Sequence, residues 1–157
     1  VHAVKLEGAE GNVDLIKHLV QSGIPVMGHI GLTPQSIYQM GGYRVQGKNP
    51  EAAEQLKKQS ILLEDAGCFA IVLECVPSDL AHSITQTLKI PTIGIGAGKG
   101  TDGQILVLHD MLGFNQDFQP KFVRHYLKGA ELFQKSIESY VNDVLEGQFP
   151  SEKESYK

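Results

Sequence analysis

Short apolar runs alternate with amphipathic stretches along this chain, and each change of period marks a new element. The central run is Phe69-Ala70-Ile71-Val72-Leu73, followed by Glu74-Cys75-Val76-Pro77. Five apolar residues in a row are too few for a buried helix. They suit a strand covered on both faces, as in a parallel sheet flanked by helices. Upstream, Val1 to Leu6 alternates enough for a strand and runs into Glu7-Gly8. Asn12 to Ser22 predicts a helix, with Asn12 as cap, Ile16, Leu19 and Val20 as its apolar stripe, and Gly23 as its stop. Ile24 to His29 is the next strand.

Gly31 to Lys48 is irregular and rich in glycine (Gly31, Gly41, Gly42, Gly47). A loop of this length inside a domain is usually functional or disordered, and its Ile37, Tyr38, Met40 and Tyr43 predict an ordered lid or wall. Asn49-Pro50 opens a second helix whose stripe is Ala52, Leu56, Leu63 and Ala66, ended by Gly67. Ser78 to Leu88 predicts a third, with Leu80, Ala81, Ile84 and Leu88 on one face. The strand from Lys89 to Gly96 is entered through Ile90-Pro91, as the earlier one was through Ile24-Pro25, which suggests a repeated βα unit. A final strand is expected from Gln104 to Leu108, then a helix from about Lys121 to Leu145 with a break near Gly129. Strand and helix alternate throughout, so the class is α/β with parallel strands near residues 1–6, 24–29, 70–75, 91–95 and 104–108. Five strands suit an open doubly wound sheet, and equally the last five of an eight-stranded barrel, which takes about 250 residues.

Composition narrows the partners. The chain has 157 residues, enough for one domain with a real core, and its 41% hydrophobic and 20% charged residues are ordinary for a globular protein. A net charge of −4 with no basic cluster argues against nucleic acid. No apolar run approaches the roughly 18 residues of a membrane span, and no signal peptide is visible. Cys68 and Cys75 do not form a Cys-x-x-Cys pair, and packed, reduced thiols in a cytoplasmic protein are expected. Val1 opens directly into an apolar-rich stretch, so residues upstream of it are expected.

Candidate chemistry gathers at strand ends, where ligands bind in α/β folds. Glu74 stands at the C-terminal lip of the central strand. Partial desolvation makes a carboxylate more basic and fits it to accept a proton near neutral pH. The plainer alternative is a residue that caps the next helix or pairs with a surface cation. His29 occupies the same lip of its strand. Lys5 and Glu7, two apart, share a face of the first strand. Turned into a pocket, they reach one ligand; turned to solvent, they are a surface pair of little energetic weight.

Gly94-Ile95-Gly96-Ala97-Gly98-Lys99-Gly100 resembles a nucleotide loop only superficially. The dinucleotide fingerprint needs a glycine where Lys99 or Thr101 stands, and the phosphate loop needs Ser or Thr where Gly100 stands. A strand follows instead of a helix, so these glycines predict a backbone wall open to close ligand approach. No Gly-x-Ser-x-Gly elbow or His-Glu-x-x-His helix is present.

Taken in order, Val4-Lys5-Leu6-Glu7-Gly8, Gly28-His29-Ile30-Gly31-Leu32-Thr33-Pro34-Gln35-Ser36, Gly41-Gly42-Tyr43-Arg44-Val45-Gln46-Gly47, Leu73-Glu74-Cys75-Val76-Pro77 and Ile93-Gly94-Ile95-Gly96-Ala97-Gly98 resemble ketopantoate hydroxymethyltransferases. The fit runs from Val1 to about Pro150 and includes Thr101 to Val107. The resemblance implies a (β/α)8 TIM barrel, with residues 1–150 as the C-terminal part of one barrel domain supplying strands four to eight, and residues 151–157 as a frayed polar tail. It implies hydroxymethyl transfer from 5,10-methylenetetrahydrofolate to 3-methyl-2-oxobutanoate, giving ketopantoate, with Mg2+. By position, Glu74 is then the proton acceptor, Lys5 contacts the 2-oxo acid, Glu7 belongs to the metal site, and His29 supports substrate binding at the rim. It also implies small-molecule substrates and a homo-oligomer, a decamer in the family, with the helix around Tyr126 to Leu145 as a subunit contact. The family's first three strands carry an Asp-Ser pair and a second Asp that bind metal and substrate. Their absence here predicts the C-terminal portion of a longer enzyme.

Two competing readings remain. One is another magnesium-dependent 2-oxo acid barrel, of the phosphoenolpyruvate mutase and isocitrate lyase type; those usually carry a Lys-Lys-Cys-Gly-His loop, which this chain lacks. The other is an inactive fragment serving only as an oligomerisation or binding module.

Overall fold

The computed structural model describes residues 1–39, 41–116 and 119–156. They form two compact units, Val1–Ile105 and Leu106–Lys157.

The first unit is a parallel α/β sheet. Its elements in chain order are β1 (Val4–Glu7), α1 (Val13–Gln21), β2 (Val26–Gly31), a 3-10 turn (Pro34–Ser36), α2 (Pro50–Asp65), β3 (Ala70–Glu74), α3 (Ser78–Thr87), β4 (Thr92–Ile95) and β5 (Gly103–Gln104). The strands pair in sequential order from β1 to β5, every pair parallel. A doubly wound sheet would reverse its order at a switch point; this one does not.

Both Ile-Pro junctions do the same job. The carbonyl of Pro25 accepts the first ladder bond from Val4 at 3.0 Å, and that of Pro91 accepts from Ile71 at 3.0 Å. Proline lacks a donor but keeps its acceptor, so it can open a strand without disturbing the ladder. Asn49 caps α2 as expected, its side chain accepting from the Ala52 N–H at 2.7 Å. Asn12 behaves differently. Its backbone is helical and its side chain makes no cap; instead its amide donates to the Glu7 carbonyl at 2.9 Å. That bond braces the turn between β1 and α1.

The core lies on one face of the sheet. Val26, Ile30, Ile71 and Leu73 pack there against Ile16 of α1, Leu56 and Leu63 of α2, and Leu80, Ala81 and Ile84 of α3. Gly28 shares that face, and a Cβ on it would sit 2.8 Å from Leu63 Cδ1, so its missing side chain lets α2 close onto the sheet. Removing a buried Leu or Ile from such a core costs about 2–5 kcal/mol.

The last expected strand is shorter than the apolar run suggested. β5 holds Gly103 and Gln104, and Leu108–Met111 forms a short helix, α4. The cause is the partner strand: β4 ends at Ile95, and Gly96 turns away with φ of 65°. After Ile105 donates to Gly94 at 3.0 Å, no further acceptor among the described residues continues the ladder. In the second unit, α5 spans Gly129–Leu145, so its helix starts at Gly129 and does not run from Lys121. The N–H of Tyr126 is drawn to the Met111 carbonyl at 2.8 Å and that of Gly129 to Leu112 at 2.8 Å, which denies the preceding residues a helical ladder. A 3-10 turn with a capping box follows at Glu152–Glu154.

Of the residues expected to make a lid, Tyr38 and Tyr43 are largely exposed, and Met40 lies outside the described residues. The glycine wall is also explained from within. A Cβ on Gly98 would meet Ser78 at 2.5 Å, and one on Gly100 would meet His82 at 2.8 Å. The room these glycines leave is filled by α3, so they serve packing of the loop on its neighbour helix.

Candidate active site

Register decides which side chains meet. Glu7 lies opposite His29, His29 opposite Val72, and Gly31 opposite Glu74. Residues aligned across a parallel sheet share a face, and those two apart along a strand return to it. Lys5, Glu7, His29 and Glu74 therefore all project from the face opposite the helices. Glu7 and Glu74 end β1 and β3, while Lys5 and His29 lie within β1 and β2, so His29 is not the last residue of its strand.

Distances bear this out. Lys5 Nζ lies 3.3 Å from His29 Nδ1 and 3.8 Å from Glu7 Oε1. The same Glu7 oxygen is 3.7 Å from His29 Nδ1. Glu7 Oε2 accepts the backbone N–H of Gln35 at 3.1 Å, which fixes the carboxylate against the 3-10 turn. On its other side, His29 Nε2 lies 3.1 Å from Glu74 Oε2. That contact has hydrogen-bond length without hydrogen-bond alignment, so Nε2 is a buried polar atom with no formed bond. The imidazole is 1% exposed, while the side chains of Glu7 and Glu74 are 12% and 17% exposed and Lys5 46%. The cluster thus runs from a solvent-reaching ammonium, through a buried imidazole, to a carboxylate at the strand lip.

The backbone around Glu74 is held from three sides. Its carbonyl accepts from Leu32 at 2.8 Å, and the next N–H, of Cys75, donates to Ile95 at 2.9 Å. The Cys75 carbonyl accepts from Gln46 at 2.8 Å. Cys75 itself has φ of 49°, a left-handed conformation that turns the chain sharply after the carboxylate. Such a residue costs about 1–3 kcal/mol and persists only where its surroundings fix it. Burial, with the neighbouring Glu74 charge, pushes the Cys75 thiol up to about 11. Burial, partly offset by a backbone hydrogen bond from Gly28, does the same for Cys68, also to about 11. Both cysteines are free thiols.

A sequence model of the family described as ketopantoate hydroxymethyltransferase matches residues 1–152. The chain belongs to the ketopantoate hydroxymethyltransferase family. It is 59% identical over 155 residues to the 3-methyl-2-oxobutanoate hydroxymethyltransferase of Francisella tularensis subsp. tularensis (strain SCHU S4 / Schu 4), covering 99% of this chain and 59% of that protein. The protein of the same name from Bdellovibrio bacteriovorus is 58% identical over 155 residues, with 99% and 59% covered. That of Legionella pneumophila (strain Paris) is 59% identical, with 98% and 59% covered. The chain thus spans about 59% of the length of these curated relatives. Among solved structures, the YdjI aldolase from Escherichia coli K12 aligns over 77% of this chain and 52% of its own at a TM-score of 0.41 and 17% identity, a likeness too weak to argue from.

All four side chains singled out from the sequence of this family member come together in one cluster. What sequence reasoning missed are the groups that hold them. The Gln35 N–H and the Asn12 amide brace Glu7, and the Gly31 and Cys75 backbones place Glu74. Only the Pro34 beside Gln35 hinted at a fixed turn there.

Proposed function

We propose that this chain carries part of the active site of an enzyme that transfers a hydroxymethyl group from 5,10-methylenetetrahydrofolate to 3-methyl-2-oxobutanoate, giving ketopantoate (2-dehydropantoate) for pantothenate and coenzyme A synthesis. The observation that carries this is the Lys5–His29–Glu74 line across three neighbouring strands, in a chain of this family. The reaction needs a base at C3 of the oxo acid and positive charge beside its carboxylate or its developing enolate. Glu74 takes the C3 proton. The Lys5 ammonium pairs with the oxo acid. The C3 carbanion then bonds to the one-carbon unit and water supplies its hydroxyl oxygen. Both bonds of that carbon to folate, at N5 and N10, are lost, and the two nitrogens take up the protons released from C3 and from water.

Magnesium enters this proposal only as far as the residues allow. A hard cation takes about six oxygen ligands. Glu7 offers one carboxylate, already engaged by Gln35, Lys5 and His29. Among the described residues no group of three His, Cys, Asp or Glu side chains could hold a metal ion. These residues alone do not fit Mg2+, and no step is routed through one. Glu7 is assigned to the metal site only in company with donors from outside this set.

The fold proposed for the whole is a (β/α)8 barrel. Sequential parallel order, with α1, α2 and α3 on one face and the charged cluster on the other, supports it. A homo-oligomer is proposed through α5, whose exposed Phe133, Ile137, Tyr140, Val141 and Val144 form one stripe. An unchanged mass by light scattering for Ile137→Glu in the full-length protein would remove that contact from the proposal. As for the membrane, no helix among the described residues is long and apolar enough to cross one.

The deciding experiment is exchange of the C3 proton of 3-methyl-2-oxobutanoate in D2O, followed by NMR with the full-length protein, with and without Mg2+. Exchange above the buffer rate is expected. Its absence would leave a binding or assembly module and refute the enolising role.

A further inference from the structure

His29 is buried among three charged groups, and its protonation follows from what each can do. Lys5 Nζ, 3.3 Å from Nδ1, is a donor only. A proton on Nδ1 would face that ammonium, so Nδ1 must offer its lone pair. Glu7 Oε1, 3.7 Å from the same nitrogen, favours the opposite arrangement but is farther away. At the other end, an unprotonated Nε2 would set its lone pair against the Glu74 carboxylate at 3.1 Å. A doubly protonated ring would suit both carboxylates while placing a second cation against Lys5. The neutral ring with its proton on Nε2 satisfies the two nearest neighbours and forfeits only the longest contact.

We propose that His29 is a positioning residue for proton abstraction: a neutral, Nε2-protonated imidazole that accepts from Lys5 and steadies the Glu74 carboxylate through its Nε2–H. This inference rests on Glu74 being the proton acceptor. It accounts for the buried Nε2, since an unpaired buried donor is costly and calls for a partner. Contact length is present and alignment is not, so a rotation of the Glu74 carboxylate completes the bond. Catalytic hydrogen bonds are often misaligned without substrate and tighten when it binds. The ladder fixes the imidazole, because His29 lies within β2 between Glu7 and Val72. One carboxylate oxygen is held by the ring, leaving the other to take the proton. The same ring ties that base to Lys5, the group assigned to the oxo acid.

The test pairs a spectroscopic readout with variants in the full-length protein. With 15N-labelled histidine, the His29 ring is expected to show a bare Nδ1 and a protonated Nε2. His29→Gln keeps an N–H near the place of Nε2; His29→Asn is too short to do so, and His29→Leu has none. C3 exchange should fall about 10- to 100-fold in His29→Asn and His29→Leu. It should recover in part in His29→Gln, with 3-methyl-2-oxobutanoate affinity within about threefold in all three. A purely structural histidine would lower stability and affinity together, without favouring Gln over Asn. A proton on Nδ1, or equal exchange in Gln and Asn variants, overturns the inference while the functional proposal stands. Absence of exchange in the unsubstituted protein removes both.

Discussion

Gly31 faces Glu74 across the β2–β3 ladder, and a Cβ on Gly31 would lie 2.2 Å from the Glu74 carbonyl oxygen. With φ of 94° it also holds a conformation that side chains resist. Close approach here lets the Leu32 N–H reach the same carbonyl and anchors the strand end that presents the base. Gly31→Ala is therefore expected to destabilise the fold by about 3 kcal/mol, combining backbone strain with overlap. Urea unfolding of the full-length protein checks this. A loss below about 0.5 kcal/mol, the range of neutral surface changes, would show that the ladder yields freely at this point.

Glu74→Gln removes the proton-accepting form while keeping size and polarity. C3 exchange in D2O is expected to fall by about a thousandfold, within the usual worth of a positioned general base. Binding of 3-methyl-2-oxobutanoate should hardly change. Lost affinity with normal exchange at saturation would move Glu74 from proton transfer to substrate binding.

Lys5→Met keeps most of the aliphatic stem and deletes the charge. Affinity for the oxo acid is expected to weaken about 10- to 100-fold, the scale of a charge-assisted hydrogen bond. Calorimetric titration reads it directly. Unaltered affinity would make Lys5 a partner of Glu7 and His29 alone.

Local chemistry made much of this molecule legible. Gly23 and Gly67 end their helices with positive φ, and Asn49 caps α2 through its own side chain. The two-residue spacing of Lys5 and Glu7 put both on one face before any register was known. Features set by distant partners were not legible. The run from Ile105 to Leu108 has strand composition, yet β4 turns away before it can pair. Lys121 to Lys128 lie ahead of a helical stretch, yet the Tyr126 N–H is taken by Met111. Likewise, nothing in the sequence around His29 says that its two nitrogens meet Lys5 and Glu74. That follows from the register of β2 with β3, which places Glu74 one step diagonally beyond His29.

Cys68 gives a prediction about pH. Burial favours the neutral thiol, so the folded chain keeps this proton up to about 11. The unfolded chain releases it near the ordinary thiol value of about 8.5. Below that value the protonated thiol contributes fully to stability, because both states hold the proton. As pH rises between the two values, the unfolded state binds fewer protons than the folded state, and stability falls. The melting temperature should therefore drop through this alkaline window more steeply than in Cys68→Ala, which has no proton to lose. Lysines also titrate there, but they do so in both proteins, and the difference between the two curves isolates the thiol. Parallel curves would mean that the folded Cys68 thiol ionises as readily as an exposed one. Its reactivity gives a second check: at pH 7 its thiolate is scarcer than that of an ordinary thiol by about two and a half orders of magnitude. Greater nucleophilicity of the more basic sulfur recovers about one of them. Alkylation by iodoacetamide should then run about 20- to 30-fold slower in the folded protein than in the unfolded chain, before any further slowing by steric burial.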